Sequence, residues 1–135
     1  TNNDIVYAAV LGNIYKPTAE RGVYKSTDGG KNWKRVLFSN ADSGAVELVM
    51  DPTNPRVLFA STWRVNRTPY SLNSGGEGSA LWKSTDEGQN WEEISLNQGF
   101  ASGILGIMGV TVSPINPQNQ QLLFRVIDVT QKENL

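Results

Sequence analysis

The chain has 135 residues, of which 39% are hydrophobic and 19% are charged, and its net charge at pH 7 is −1. This length is enough for a packed core, and the near-neutral charge excludes the basic surface that nucleic acids or anionic membranes attract. The absence of Cys and His excludes disulfides, thiolate zinc sites and a Ser-His-Asp triad, so we expect no metal and no other cofactor. No apolar run approaches about 20 residues, so we expect no transmembrane segment.

Short segments rich in β-branched and aromatic residues predict β-strands along the whole chain. In chain order these segments are residues 5–11, 22–25, 34–38, 46–50, 57–63, 80–83, 92–96 and 109–112. Asn, Pro, Asp or Gly bound most of them, and no window of a dozen residues carries the apolar stripe of a helix. The sequence therefore predicts an all-β, antiparallel protein.

An internal repeat organises these strands. Residues 26–33 (the first octet) share six of eight positions with residues 84–91 (the second octet), 58 positions later. Two further segments are repeated, and they keep the same order along the chain relative to the octets. Residues 49–55 resemble residues 111–117, and residues 5–8 resemble residues 57–60. Four short strands in each unit of about 50–60 residues are typical of β-propeller blades.

The repeat predicts four-stranded antiparallel blades with strands A to D. Residues 1–45 are predicted to form a partial blade (strands B, C and D), residues 46–108 a complete blade with the loop that follows it, and residues 109–135 the start of a further blade. This is about two and a third blades, whereas propellers close with roughly 4–8, so we expect a fragment of a larger propeller. Because such a fragment has unpaired edges, we expect the isolated chain to self-associate.

Both octets carry the pattern Ser-x-Asp-x-Gly-x-x-Trp. The residues concerned are Ser26, Asp28, Gly30 and Trp33, and Ser84, Asp86, Gly88 and Trp91. The pattern suits a tight hairpin, because Asp accepts N–H bonds within the turn, Gly adopts a positive φ and Trp covers the turn. It resembles the Asp-box, also called the bacterial neuraminidase repeat. That resemblance implies a structural role away from the ligand face, and the alternative makes Asp28 or Asp86 a catalytic acid or a metal ligand.

The resemblance extends beyond the octets. Residues 12–23, 44–48 and 67–76 look like those of bacterial sortilin-like propellers, which are exported or surface-associated proteins often labelled as glycosyl hydrolases. More distant Asp-box relatives include sialidases and xyloglucanase-type glycoside hydrolases. The resemblance implies an extracellular, periplasmic or cell-surface location, although the chain does not open with a signal peptide.

In a propeller, the connections opposite the octets would form the ligand face. These connections are residues 12–21, 38–45, 64–79 and 97–108. The candidate ligand-binding residues on them are Arg64, Arg67, Tyr70 and Glu77, together with Tyr15, Glu20 and Arg21. The planar guanidinium group of arginine can donate two parallel hydrogen bonds to an anion, and the tyrosine ring offers a face for stacking. The alternative is structural, with Tyr70 packed on a blade edge and Arg67 paired with Glu77.

The sequence shows no convergent catalytic pair. Glu92 and Glu93 are adjacent on a predicted strand and point to opposite faces, so they are unsuited to acid/base catalysis, and no catalytic residue is assigned. We therefore expect a non-catalytic module that binds a protein or peptide or acts as a scaffold. The alternative is a segment of a glycoside hydrolase that contacts carbohydrate, with its catalytic residues mostly outside this chain.

Overall fold

The computed structural model describes residues 2–114 and the backbone of residues 122–126. This part of the chain is built from strands without helices. The strands are β1 (Val6–Val10), β2 (Gly22–Ser26), β3 (Lys34–Leu37), β4 (Ser43–Met50), β5 (Leu58–Arg67), β6 (Leu72–Ser74), β7 (Ala80–Ser84), β8 (Glu92–Glu93), β9 (Met108–Val112) and β10 (Leu122–Val126). All their pairings are antiparallel, which confirms the predicted all-β class. The described residues contain no helix that could cross a membrane.

The strands form three sheets in chain order. Sheet 1 has the order β1-β2-β3, sheet 2 has the order β4-β5-β7-β8, and sheet 3 pairs β9 with β10. The short strand β6 forms a hairpin with the far end of β5 and lies off the main path of sheet 2. Of the third unit predicted at residues 109–135, residues 115–121 and 127–135 lie outside the described residues.

Several strand ends differ from the prediction. Strand β4 begins at Ser43, three residues before the predicted start, and β5 continues to Arg67 because β6 pairs with its far end. Strand β8 stops at Glu93 rather than at residue 96. Beyond it, the N–H of Ile94 still donates to Leu81 O at 2.8 Å, but the N–H of Leu81 donates to the hydroxyl of Ser95 at 3.3 Å, so a side chain takes the place of one main-chain acceptor.

Two apolar clusters hold the three sheets face to face. One joins sheets 1 and 2 and contains Val23, Leu37, Ala45 and Ala60. The other joins sheets 2 and 3 and contains Val57, Phe59, Leu81, Ile94, Met108 and Val110. Sheet 2 is therefore covered on both faces, which explains why the first five residues of β5 are all buried. Full burial of a side chain such as Phe59 stabilises the fold by about 1.5–3 kcal/mol.

The backbones of sheets 1 and 2 come into close contact at Gly44. A Cβ atom on Gly44 would lie 2.2 Å from the carbonyl oxygen of Leu11, a distance that no side chain tolerates. A glycine is therefore required where β4 begins to pass the end of β1. This contact sets the spacing between the two sheets on the side where the loops lie.

Candidate functional site

The four connections expected to form a ligand face are held together by main-chain hydrogen bonds. The bonds run from Thr18 N to Ala41 O (3.0 Å), from Arg67 N to Ile14 O (2.8 Å), from Val65 N to Asp42 O (3.3 Å) and from Gly76 N to Leu105 O (3.1 Å). Each bond joins two different connections, and together they link all four. The loop side of the sheets is thus one continuous surface, which we call the loop face (residues 12–21, 38–45, 64–79 and 97–108).

The hairpin of β5 and β6 projects from the loop face and carries one exposed aromatic side chain. Its turn is closed by Thr68, whose N–H donates to Ser71 O at 2.9 Å and whose hydroxyl accepts the Ser71 N–H at 3.0 Å. Tyr70 is 97% exposed at the tip, so it does not pack on a sheet edge. Tyr15 is 66% exposed and follows Ile14, whose carbonyl oxygen accepts the N–H of Arg67, the last residue of β5 before the turn.

Arg64 and Glu77 occupy the other end of the same connection. Arg64 lies against Gly76, where an added Cβ would be 2.9 Å from the arginine Cδ. The main-chain oxygen of Glu77 accepts hydrogen bonds from Asn40 Nδ2 and Ser43 Oγ, both at 3.2 Å. No ion pair joins Arg67 and Glu77, which are both described, so the structural alternative proposed for this pair is wrong. The candidates therefore divide into a tip group (Tyr15, Arg67 and Tyr70) and a base group (Arg64 and Glu77).

Arg21 and Glu20 lie apart from both groups. Arg21 is only 1% exposed, and its guanidinium donates to the carbonyl oxygens of Asp42 (2.6 Å), Asn13 and Lys16 (3.4 Å). Burial lowers the pKa of Arg21, and the nearby Asp42 carboxylate opposes that shift. The arginine holds two loops together inside the protein, out of reach of a surface ligand. Glu20 is exposed, and its main-chain oxygen accepts the hydroxyl of Tyr24 at 2.8 Å.

At the opposite ends of the strands, the first octet forms a turn built around Asp28. Its Oδ1 accepts the N–H groups of Lys31 (3.0 Å) and Asn32 (2.8 Å) and the hydroxyl of Ser26 (2.8 Å). Its Oδ2 accepts the side-chain amide of Asn32 at 2.6 Å. These bonds, with the Asn32 N–H contributing most, lower the pKa of Asp28 to about 2.

The second octet repeats this arrangement around Asp86. The carboxylate accepts the Asn90 N–H at 2.9 Å, the Asn90 side-chain amide at 2.6 Å and the Ser84 hydroxyl at 2.8 Å. The Asn90 bonds are the main cause of a pKa that is again lowered to about 2. A group with this pKa is deprotonated at neutral pH and is a poor proton donor, which disfavours the catalytic-acid alternative for either Asp.

Each octet ends on a tryptophan that closes its turn. The indole N–H of Trp33 donates to Gly30 O at 2.9 Å, and that of Trp91 donates to Gly88 O at 3.1 Å. In the described part of the chain, no three acidic side chains gather in a way that could hold a metal ion.

Two clefts lie between sheet 1 and neighbouring segments of sheet 2, away from the loop face. The first, of about 540 Å³, is largely apolar and is lined by Asn2, Asn3, Ile5, Tyr7, Met50, Pro55 and Glu87. The second, of about 550 Å³, is more polar and is lined by Lys25, Lys34, Arg35, Val36, Gly88, Gln89 and Asn90. Neither cleft contains a residue that the sequence marked as a candidate ligand-binding residue.

Comparison with known proteins gives one partial similarity. No family model matches the chain, and no solved structure matches it. A xyloglucanase from Hypocrea jecorina (strain QM6a) is 28% identical over 96 residues, which are 71% of this chain and 10% of that protein. The similarity thus covers most of this chain and about a tenth of the relative's length.

Sequence reasoning missed the apolar cleft and the residues that line it. Ile5 and Tyr7 look like ordinary strand residues, and Met50 looks like the end of a core strand. The available signal was the repeat itself, because residues 5–8 match residues 57–60.

Proposed function

We propose that the three sheets are successive blades of an Asp-box β-propeller. The proposed units are residues 1–45, 46–108 and 109–135, which would form part of a larger ring. Three features support this proposal: the repeated octets, the up-and-down strand order of sheet 2, and the face-to-face packing of consecutive sheets. The octets would be the structural hairpins between strands C and D, and we propose an extracellular, periplasmic or cell-surface location.

We further propose that the loop face binds a polysaccharide of the xyloglucan class. The observation that carries this proposal is the pair of exposed tyrosines, Tyr70 and Tyr15, on two connections joined through Arg67 and Ile14. Exposed rings on connections that are held together by hydrogen bonds are suited to stacking against sugar rings. Arg67 adds a planar hydrogen-bond donor beside them. The partial similarity to a xyloglucanase is compatible with this class of ligand.

In this proposal the chain supplies binding residues and not the reacting carboxylates. Glu77 and Glu20 belong to different parts of the loop face, and Glu93 is engaged with Ser95, whose hydroxyl donates to it at 2.8 Å. The catalytic groups of a glycoside hydrolase would then lie elsewhere in a longer protein. Binding of a protein or peptide partner at the loop face remains a prediction without a supporting contact.

The binding proposal is tested by titrating the chain with xyloglucan oligosaccharides in a calorimeter. We expect Tyr70→Ala and Tyr15→Ala each to weaken binding by about 2- to 12-fold, if a stacked ring contributes as much as in aromatic pairs. Tyr70→Phe keeps the ring and should bind like the wild type. The control is Leu96→Ala, which removes an 81% exposed apolar side chain outside the tip group. Unchanged affinity in both Tyr→Ala variants would contradict the proposal.

The roles of Arg67 and Glu77 are tested with the same xyloglucan oligosaccharides. We expect Arg67→Ala to weaken binding, and we expect Glu77→Gln to leave it unchanged because Glu77 contributes its main chain to the base group. Assays on a library of sugars should detect no hydrolysis by the wild type. Hydrolysis that Glu77→Gln abolishes would instead assign this chain the catalytic role.

A further inference from the structure

The polar cleft of about 550 Å³ lies between the outer strands of sheet 1 and the turn of the second octet. One wall carries Lys25 from β2 together with Lys34 and Arg35 from β3, and the other wall consists of residues 88–90. None of the described residues that line the cleft is acidic. Both walls lie within residues 2–114, and the cleft between them is positively charged.

Lys25 and Lys34 form a like-charge pair across two strands. They are directly opposite each other in the register of β2 and β3, so their side chains leave the same face of sheet 1. Val23, two residues before Lys25, packs in the apolar cluster between sheets 1 and 2, so this face is the one turned toward sheet 2. Like charges directly opposite each other in a sheet are destabilising.

The second unit has the opposite charge at the corresponding position. Lys83 is the counterpart of Lys25 in the repeat, and the residue opposite Lys83 is Glu92. The cross-strand pair in sheet 2 is therefore complementary in charge, whereas the pair in sheet 1 is repulsive. The repeat shows that this type of hairpin accommodates a carboxylate where sheet 1 has Lys34. A loss of stability at one position is typical of a residue with a function.

The second octet holds the ammonium group of Lys25 in place. The ammonium donates to the main-chain oxygen of Glu87 at 3.0 Å and lies 3.6 Å from the Glu87 carboxylate. It also lies 5.4 Å from the centre of the Tyr7 ring. Because an ammonium group has three donors, the main-chain bond leaves others for a ligand. Among the described residues no acidic side chain pairs with Lys34, so Glu87 offsets the charge of one lysine and not of both.

Arg35 lies on the same strand but has its own partners within sheet 1. Its side chain leaves the face opposite to that of Lys34, because successive residues of a strand alternate. The guanidinium donates to Ala19 O and lies 4.1 Å from the centre of the Phe38 ring. The two lysines are therefore the cations that a ligand in the cleft would contact.

The opposite wall of the cleft offers amide side chains. Gln89 and Asn90 are exposed, and the side-chain amide of Asn90 is fixed by its 2.6 Å bond to Asp86. Amide groups both donate and accept hydrogen bonds, as hydroxyl groups do. The volume of the cleft falls within the range of about 300–1,000 Å³ that is usual for small-molecule sites. It is larger than a bare inorganic anion requires, so it suits a molecule with hydroxyl groups and one anionic group.

We propose that the polar cleft binds a small polyhydroxylated ester of phosphate or sulfate. Lys25 and Lys34 bind the anionic group, and Gln89 and Asn90 bind the hydroxyl groups. Phosphate and sulfate esters share a compact set of charged oxygen acceptors, which form strong hydrogen bonds with ammonium groups. Binding also relieves the repulsion between the two lysines. The cleft lies at the octet end of the strands, so this site is separate from the loop face and does not depend on xyloglucan binding.

The probes are glucose 6-phosphate and glucose 6-sulfate, titrated into the ¹⁵N-labelled chain and followed by NMR. The ionic strength is held constant with sodium chloride, because screening alone weakens contacts between exposed charges. We expect saturable shifts of the main-chain amides of residues 88–90 with at least one ester and none with glucose. The ester that binds more tightly identifies the preferred anionic group. Inorganic phosphate should bind more weakly than glucose 6-phosphate, because it makes no contact with the amide wall.

The deciding variant is Lys34→Glu, which gives β3 the charge that Glu92 has in β8. We expect it to weaken ester binding by more than tenfold and to raise the urea midpoint measured without ligand, because the cross-strand pair becomes complementary. A more stable variant that does not bind excludes unfolding as the cause. Lys34→Gln should weaken binding about tenfold, the effect of losing one charge-assisted hydrogen bond. The matched control is Lys16→Gln, which removes the same charge from the loop face and should bind like the wild type.

Three results would overturn the proposal. The first is that neither ester binds to the wild type. The second is equal binding by the wild type and Lys34→Glu. The third is that inorganic phosphate binds as tightly as glucose 6-phosphate, with shifts spread beyond the cleft, which would show attraction to the general positive charge and not a site.

Discussion

The two octets share most of their internal hydrogen bonds but have different surroundings. In both, the Asp carboxylate is bonded to the Ser hydroxyl and to the Asn four residues further on, and both carboxyl groups have a pKa of about 2. The second octet packs against sheet 1, and Trp91 adjoins the apolar cluster between sheets 1 and 2. Trp33, in the first octet, is 44% exposed.

One position accounts for much of this difference. The fourth residue is Gly29 in the first octet and Glu87 in the second, and both have a positive φ, of 70° and 62°. The main-chain oxygen of Glu87 accepts the Tyr7 hydroxyl at 2.8 Å and the Lys25 ammonium at 3.0 Å, and its carboxylate lies 3.6 Å from the same Lys25 nitrogen. The positions that the two octets share build the turn, and one of the two positions at which they differ, Glu87, connects the second octet to the neighbouring sheet.

The largest loss of stability is expected when the Ser hydroxyl is removed from each octet in turn. Ser26 and Ser84 are both 1% exposed, and each hydroxyl accepts the N–H of the glycine four residues later at 2.9 Å. Ser26→Ala and Ser84→Ala leave that N–H unpaired, in a part-buried position at Gly30 and a buried one at Gly88, so each should lower the free energy of unfolding by about 1–3 kcal/mol. Urea unfolding measures the loss. The exposed neighbours provide matched controls, since Thr27→Ala and Thr85→Ala should have little effect. Clearly unequal losses in the two serine variants would show that the turns are not energetically equivalent.

A smaller effect is expected at Glu87, where two substitutions separate backbone strain from the ion pair. Glu87→Ala loses the partly exposed ion pair with Lys25, worth about 0.2–1 kcal/mol, and keeps the unfavourable positive φ. Glu87→Gly loses the same pair and removes the strain, roughly 1–2 kcal/mol. We therefore expect the Gly variant to be more stable than the Ala variant by about 1 kcal/mol in urea unfolding. Gly29→Ala, which introduces the same strain in the first octet, should destabilise the chain. An Ala variant as stable as the Gly variant would contradict this account.

The smallest effect is expected from pH, and it should be shared by the two octets. Their carboxylates have a pKa of about 2 in the folded chain and about 4 when unfolded. Their stabilising contribution is therefore complete above pH 4 and is lost as the pH falls from about 4 to about 2. Water competes at these partly exposed positions, which keeps the effect small. Urea midpoints measured from pH 5 to pH 2 should fall less steeply for a variant with Asp28→Asn and Asp86→Asn, and an unchanged slope would refute the assignment.

The sequence predicted the strand order well because the repeat supplies the same information twice. Six identical positions in the octets imply the same turn, and Ser26 and Ser84 do occupy the same register positions in sheets 1 and 2. The hairpin of β5 and β6 has no counterpart in the first unit, so no comparison could reveal it. Its turn residues, from Thr68 to Ser71, appear in the sequence as an ordinary polar loop.

The candidate site was less predictable, because burial of a charged residue depends on the loops around it. Arg21 resembles a surface residue in sequence, yet the carbonyl groups of Asn13, Lys16 and Asp42 surround its guanidinium.

The hairpin of β5 and β6 has a consequence for how such a protein can diversify. Its tip is closed by bonds between Thr68 and Ser71, and Tyr70 contributes almost no packing to the sheets. Substitutions at the tip are therefore nearly independent of folding, and different side chains can be exchanged there while the ladder below is kept. In an evolving lineage or in a library made in the laboratory, this is the segment where new specificity is acquired with the least risk to stability.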